Sequence, residues 1–197
     1  MSELTNRDLQ PDLDRQHIVT LIGGLRSFEQ TVREAAFQQL QLLDRQVLMH
    51  TLISILCDRE GAIDERCDAI LALIKLDPHT GVPLVLPFLK DTDSDIRQEV
   101  CEILHLDAED ATEHAISPLI DVVLTDEDVD VRLAAIIALR KFGDKSALPA
   151  LRHAQHSDHG VGRQGHYVAD LAAEAMQSIE ARESLGRENC HVEGSDC

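Results

Sequence analysis

The chain has 197 residues, 44% of them apolar but only 3% aromatic, with no Trp and a single Tyr167. A core this poor in rings must be built from Leu, Ile, Val and Ala, which suits stacked helices and argues against a β-sandwich. Its 36 acidic residues outnumber 18 basic ones for a net charge of −18, and such a field repels phosphate backbones, which argues against nucleic acid as a partner.

The opening segment, residues 1–14, begins MSELTNRDLQPD and lacks the apolar stretch of a signal peptide. No later run approaches the roughly 18 apolar residues of a membrane span, so no membrane association is expected and the expected location is the cytoplasm. From residue 15 one pattern recurs: a capping residue, any residue, Arg, two more, a small or branched residue, an apolar one, then Leu three further on. In a first unit, 15–46, it reads Thr31-Val32-Arg33, Ala36-Phe37, Leu40, after a first helix interrupted by Gly23-Gly24. In the second, 47–79, it reads Asp64-Glu65-Arg66, Ala69-Ile70, Leu73. The third, 80–112, gives Asp95-Ile96-Arg97, Val100-Cys101, Leu104, and the fourth, 113–147, gives Asp130-Val131-Arg132, Ala135-Ile136, Leu139. The arginines lie 33, 31 and 35 residues apart, the size of a helical-hairpin solenoid repeat.

Upstream landmarks keep the same register. Pro83 and Pro118 each lie fourteen residues before their Arg, and Asp91 and Asp126 each lie six before it. Pro is tolerated in a first helical turn. Each unit is therefore expected to open a helix near Pro, run through an apolar face (Leu84, Leu86, Leu89; Leu119, Val122, Val123) and break at an acidic turn. A second helix should then start at Asp95 or Asp130, whose carboxylate can cap free N–H groups. A fifth unit, 148–183, has Pro149 but carries Ala172 at the Arg position. Residues 184–197 read as a disordered tail. The predicted fold is all-α, a right-handed α-solenoid of about five HEAT-like helical hairpins, the end units acting as caps.

The D-x-R start of the second helix, the Pro-led first helix and the small residue after Arg resemble the short HEAT-like repeats of the bilin (phycobilisome) lyase type. The resemblance spans about residues 15–183. That family includes subunits that attach or remove phycobilins on phycobiliproteins, and it implies the fold together with a bilin as a candidate ligand. Some of its isomerising members carry an adjacent His–Cys pair; here the order is reversed, Cys190-His191, outside the repeats.

The arginine series Arg33, Arg66, Arg97 and Arg132 is expected to form a ladder between repeats with Asp64, Asp95 and Asp130, because a forked guanidinium suits paired carboxylates. Asp91, Asp93 and Asp95 with Glu102 have the spacing of a calcium loop, but Ile96 stands where that loop needs Gly, so the stretch reads as turn chemistry. In the fifth unit about eight residues are inserted after Asp158, in the stretch HGVGRQGHY. Gly160, Gly162 and Gly165 make it flexible or sharply turned, and Arg163 makes it a candidate partner contact. His153, His156, His159 and His166 cluster there as weak candidates for a metal, without a known ligand spacing. Cys57, Cys67, Cys101, Cys190 and Cys197 form no CxxC pair or disulfide framework, so reduced thiols are expected.

Second helices normally line the concave face of such a stack. The side chains expected there are Glu34, Gln38 and Gln41, then Leu71, then Gln98, Glu102 and His105, then Ile137. Leu71 and Ile137 would either form an interface core with a polar rim or lie buried against adjacent repeats. No nucleophile elbow, P-loop or dinucleotide fingerprint occurs. The first functional reading is a non-catalytic scaffold or adaptor that binds another protein and needs no cofactor. The second is a bilin lyase subunit or a chaperone-like relative; this reading alone makes the chain part of an enzyme, and it needs positive groups for the bilin propionates. The third is assembly of a metal or iron–sulfur cofactor through the His/Cys-rich C-terminal region.

Overall fold

A computed structural model describes residues 10–107 and 114–192, with side chains described from residue 15 to 185 outside the internal gap. Ten α-helices occupy these residues, and no strand is present among them beyond one isolated bridge, Val161–Tyr167. None of these helices is long and apolar enough to cross a membrane. The chain divides into two compact units, Met1–Gly81 and Val82–Cys197.

The first unit holds α1 (Gln10–Gly24), α2 (Gln30–Leu42), α3 (Arg45–Cys57) and α4 (Ile63–Leu76). Within it α1 packs on α2, α3 on α4, and the two hairpins meet where α1 crosses α4. Apolar residues spaced by three and four make its core: Ile18, Leu21 and Ile22 on α1, Leu25 just after it, and Leu48, Leu52, Ile55 and Leu56 on α3 are all buried. Asp44 caps α3, accepting from the N–H groups of Gln46 and Val47. Arg15 reaches Asp58 and Glu65, and Arg26 donates to Asp68 at 2.6 Å.

A short helix α5 (Pro78–Val85) crosses the boundary between the units and continues as a 3-10 stretch, Leu86–Lys90. Here the Pro-led opening is corrected: Pro83 lies inside α5, and the helix starts five residues earlier. Pro83 and Pro87 each remove an N–H that an α-helix would use, and the chain tightens into 3-10 geometry after Val85. Pro118 and Pro149 do sit in the first turns of α7 (Ile116–Thr125) and α9 (Leu148–Ser157).

In the second unit the 3-10 stretch packs on α6 (Ser94–Asp107), α7 on α8 (Val129–Phe142), and α9 on α10 (Val168–Val192). The second helices form one layer, α6 against α8 against α10, and the first helices form another, the 3-10 stretch against α7 against α9. This is the stacking of an α-solenoid. The middle helix α8 is apolar around most of its circumference, with Val131, Leu133, Ala134, Ala135, Ile136, Ala138 and Leu139 buried. Its alanines let neighbouring helices approach closely. The core is ring-free: Phe28 and Tyr167 are exposed, and Phe37, Phe88 and Phe142 are only half-buried. Helix α10 continues to Val192, where the sequence reading expects a disordered tail from 184; residues 193–197 lie outside the described residues.

The ladder exists, but its acids differ from those expected. The Arg97 fork grips Asp126 through Nε at 2.7 Å and Nη2 at 2.9 Å, and the Arg132 fork grips Asp158 at 2.6 and 3.1 Å. The remaining Nη1 of each Arg bonds its own turn, Arg97 to the Asp91 carbonyl at 3.0 Å and Arg132 to the Asp126 carbonyl at 2.8 Å. Arg33 holds its own turn in the same way, donating to the carbonyls of Ser27 and Phe28. Arg66 is buried and donates to the Leu56 carbonyl at 2.9 Å. The acids gripped are therefore the turn residues Asp126 and Asp158. Asp64 and Asp95 instead stand in the first turns of α4 and α6, where the positive end of the helix dipole favours a carboxylate.

The caps also sit two residues earlier than expected. Asp93 accepts from the Asp95 N–H at 2.9 Å, and Asp128 accepts from Asp130 and Val131. The turn acids make Asx turns of the same form: Asp91 to the Asp93 N–H, Asp126 to Asp128, Asp158 to Gly160. Of the carboxylates spaced as in a calcium loop, Asp91 and Asp93 accept backbone donors and Glu102 accepts from the Gln98 side chain. At Asp158, burial pushes the carboxyl up, but the Arg132 bond, the Gly160 N–H and the nearby charges outweigh it and hold it below the usual range.

Asp126→Asn should destabilise the protein by about 3 kcal/mol in urea unfolding, because it leaves Arg97 buried without its counter-charge; an Arg97→Met/Asp126→Leu double variant should recover much of that loss. Asp158→Asn should cost stability at pH 7 by a margin that closes as pH falls below about 4, where the carboxylate whose lowered pKa stabilises the wild type is itself protonated. Thiol chemistry gives a third check. Cys101 is fully buried, which with nearby Asp126 pushes its thiol well above the ordinary range, whereas Cys57 is exposed. Mass-spectrometric mapping should find Cys57 alkylated in native buffer and Cys101 only in denaturant.

Candidate functional site

A groove of about 220 Å³ opens on the second-helix layer of Val82–Cys197. Its two long walls are matching stripes. Gln98, Glu102, His105 and Leu106 come from α6, and Asp130, Leu133, Ala134 and Ile137 from α8, each at helical spacings of three and four. The Arg97–Asp126 and Arg132–Asp158 clamps lock successive repeats together and so hold these stripes side by side. Leu171 of α10 closes the floor, with Gln164 and His166 at one end.

The floor is apolar and the rim polar. Leu133, Ala134 and Leu171 are buried, Ile137 is half-buried, and Leu106 is 59% exposed. Gln98 donates to Glu102 at 2.6 Å along the rim. His105 lies at the far end; its carbonyl accepts from Lys141 Nζ at 2.6 Å. Burial, with the charges of Lys141 and Arg140, holds the His105 imidazole below its ordinary pKa and therefore neutral at pH 7. Its Nδ1 is buried without a hydrogen-bond partner among the described residues.

The inserted segment is a built hairpin. Val161 and Tyr167 pair across it, the Gly162 N–H donates to the His166 carbonyl, and Gly165 at φ +82° makes the turn. A side chain at Gly162 would crowd α8, since a Cβ there would lie 2.4 Å from Leu133 Cδ1 and 2.6 Å from Asp130 Oδ1. The hairpin thereby lies against α8. From it Arg163 donates its backbone N–H to Asp130 at 3.0 Å, its Nε to Asp130 at 2.7 Å and its Nη2 to Gln98 at 2.9 Å.

Four of the residues expected on the inner face, Gln98, Glu102, His105 and Ile137, meet in this groove, and Arg163 reaches its rim. Glu34, Gln38 and Gln41 are exposed on α2 of the first unit, with Glu34 bonded to Gln30. Leu71 is corrected: at 5% exposure it belongs to the core. Asp130, expected as a ladder acid, is a groove residue. The floor residues Leu133, Ala134 and Leu171 were indistinguishable in sequence from core positions, and only Leu106, which falls outside the buried pattern of α6, carried a signal. The four histidines are not gathered: His156 bonds the Arg152 carbonyl, His166 lies at the groove, and no cluster of three or more metal-ligating side chains occurs among the described residues. The side chains of Cys190 and His191 and the whole of Cys197 lie outside the described residues.

Comparison with the curated proteins gives no significant match. Among solved structures, a designed armadillo repeat protein in complex with the peptide (KR)4 is 17% identical with a TM-score of 0.49, over 88% of this chain and 86% of that one. A second designed armadillo repeat protein is 18% identical with a TM-score of 0.48, over 88% and 87%. An engineered protein of a structural genomics programme is 18% identical with a TM-score of 0.47, over 87% and 83%. Residues 82–177, which hold the groove, both arginine clamps and the hairpin, match the family of HEAT repeats.

Proposed function

We propose that this protein is a non-catalytic binding scaffold, and that the groove between α6 and α8 holds a segment of a partner protein. One observation carries the reading: stripes from two consecutive second helices meet in an open groove with an apolar floor and a polar rim, the anatomy of a protein-binding patch. Exposed Leu106 and half-buried Ile137 supply area that a partner's apolar side chain would cover. Around them Glu102 and Asp130 favour a partner with positive charge beside that side chain. The neutral His105 adds a hydrogen-bonding group at the far end. Nothing in this arrangement has to make or break a bond.

The test is capture of a partner from extract of the source cells with the tagged wild type and with Ile137→Asp. The partner identified with wild type should bind Ile137→Asp at least about 30-fold more weakly by calorimetry, the loss typical of a central apolar anchor. Ile53→Asp, at a surface position of the first unit, should bind as wild type does. A partner that binds Ile137→Asp undiminished would place the binding surface elsewhere.

A further inference from the structure

The arginines of the second unit differ in how they are held. The Arg97 and Arg132 side chains are 8% and 14% exposed, and each is bonded to its own turn as well as to a turn acid. The Arg163 side chain is 69% exposed, and its guanidinium hydrogen-bonds two side chains among the described residues, Asp130 of α8 and Gln98 of α6. Asp130 is only 18% exposed and fixed on a helix. The acceptors of this contact are thus set on helices, and the donor side chain stands largely in solvent. Exposed ion pairs on long side chains contribute little to stability, so the Arg163 guanidinium can leave at small cost. The hairpin backbone would remain, held by the Arg163 N–H on Asp130 and by Gly162 against α8.

Asp130 and Gln98 thus present two acceptors spaced for one guanidinium, at the mouth of a groove with an apolar floor. Asp95 and Asp128 add negative charge around it. We propose that Asp130 and Gln98 are a guanidinium-recognition subsite, occupied in cis by Arg163, and that a partner's arginine enters it in exchange. This rests on the groove reading above. The exchange is like for like: the hydrogen bonds lost by Arg163 are regained by the incoming arginine, and the partner's neighbouring apolar side chain gains burial over Leu106 and Ile137. Arg163 then acts as a tethered competitor that lowers affinity and sharpens selection for arginine over other cations, because a lysine ammonium cannot bridge both acceptors in a fork.

The probes are a fluorescein-labelled nonapeptide with one arginine flanked by leucines, and its lysine and citrulline twins. Fluorescence anisotropy against the full chain at about 0.15 M salt keeps the bulk acidity of the protein screened. Wild type should prefer the arginine peptide to both twins by about tenfold. Arg163→Ala should strengthen arginine-peptide binding by about threefold to fivefold, and Asp130→Asn should erase the preference. Urea unfolding of both variants fixes whether each remains folded, and Gln98→Leu, which removes the second acceptor while leaving Asp130 in place, should lower the preference for arginine over lysine. Equal binding of the three peptides, or an Arg163→Ala variant that binds no tighter than wild type, overturns the proposal; if Ile137→Asp still weakens all three, the groove reading stands without the subsite. Peptide binding that Ile137→Asp leaves unchanged, or no binding up to millimolar peptide, overturns the proposal and the groove reading together.

Discussion

The second unit depends on one repeated interaction, an arginine in the first turn of a second helix that holds two turns at once. One nitrogen of its fork bonds the carbonyl of its own turn, and the other two grip the acid of the next turn. Few side chains can do this, since it needs a planar group with donors in several fixed directions. The clamps tie the start of α6 to the turn between α7 and α8, and the start of α8 to the turn that ends α9. A core of Leu, Ile, Val and Ala has no polar specificity of its own, so many sliding registers would bury similar area. The arginine–aspartate pairs select one of them. The groove is a by-product of that choice, because stripes on two helices line a common floor only when the helices are in register.

The acidity of the chain has a local meaning before it has a functional one. Asp91, Asp93, Asp126, Asp128 and Asp158 each accept a backbone N–H within their turn. Asp93 and Asp128 satisfy donors that a helix start leaves free, and Asp91, Asp126 and Asp158 satisfy N–H groups of the turns themselves. Their charge nevertheless remains, and Glu102 and Asp130 add to it at the groove mouth, where Arg163 pairs with Asp130. Asp128, which caps α8, also adds negative charge near Arg163.

The fifth repeat departs from the others in two linked ways. Its second helix has Ala172 in place of the clamp arginine, and that alanine is buried. Its turn acid Asp158 is still gripped by Arg132, so the inserted hairpin begins from a fixed point. Gly160 and Gly162 let the hairpin run close over Arg132, Asp130 and Leu133. A further arginine, Arg163, then reaches the groove from the loop, bonded to Asp130 in the first turn of α8. A segment that could have been a loose surface loop is instead part of the wall of the inner face.

The sequence alone determined the helical-hairpin period, the arginine register and the place of the insertion. These features are local, since helix periodicity, turn acids and glycine runs are read within a few residues of themselves. It also placed Gln98, Glu102, His105 and Ile137 on one face, because that inference needs only the register of a second helix. The tertiary structure alone decided which acids the arginines grip, and it assigned Asp130 to Arg163 across 33 residues and Gln98 across 65. Leu71 and Ile137 make the reason plain. Each lies five residues after its clamp-position arginine, Arg66 or Arg132, yet Leu71 is 5% exposed and Ile137 lines a groove. Identical register gives identical direction along a helix, but what lies opposite a side chain is set by the packing of other helices, which no local pattern encodes.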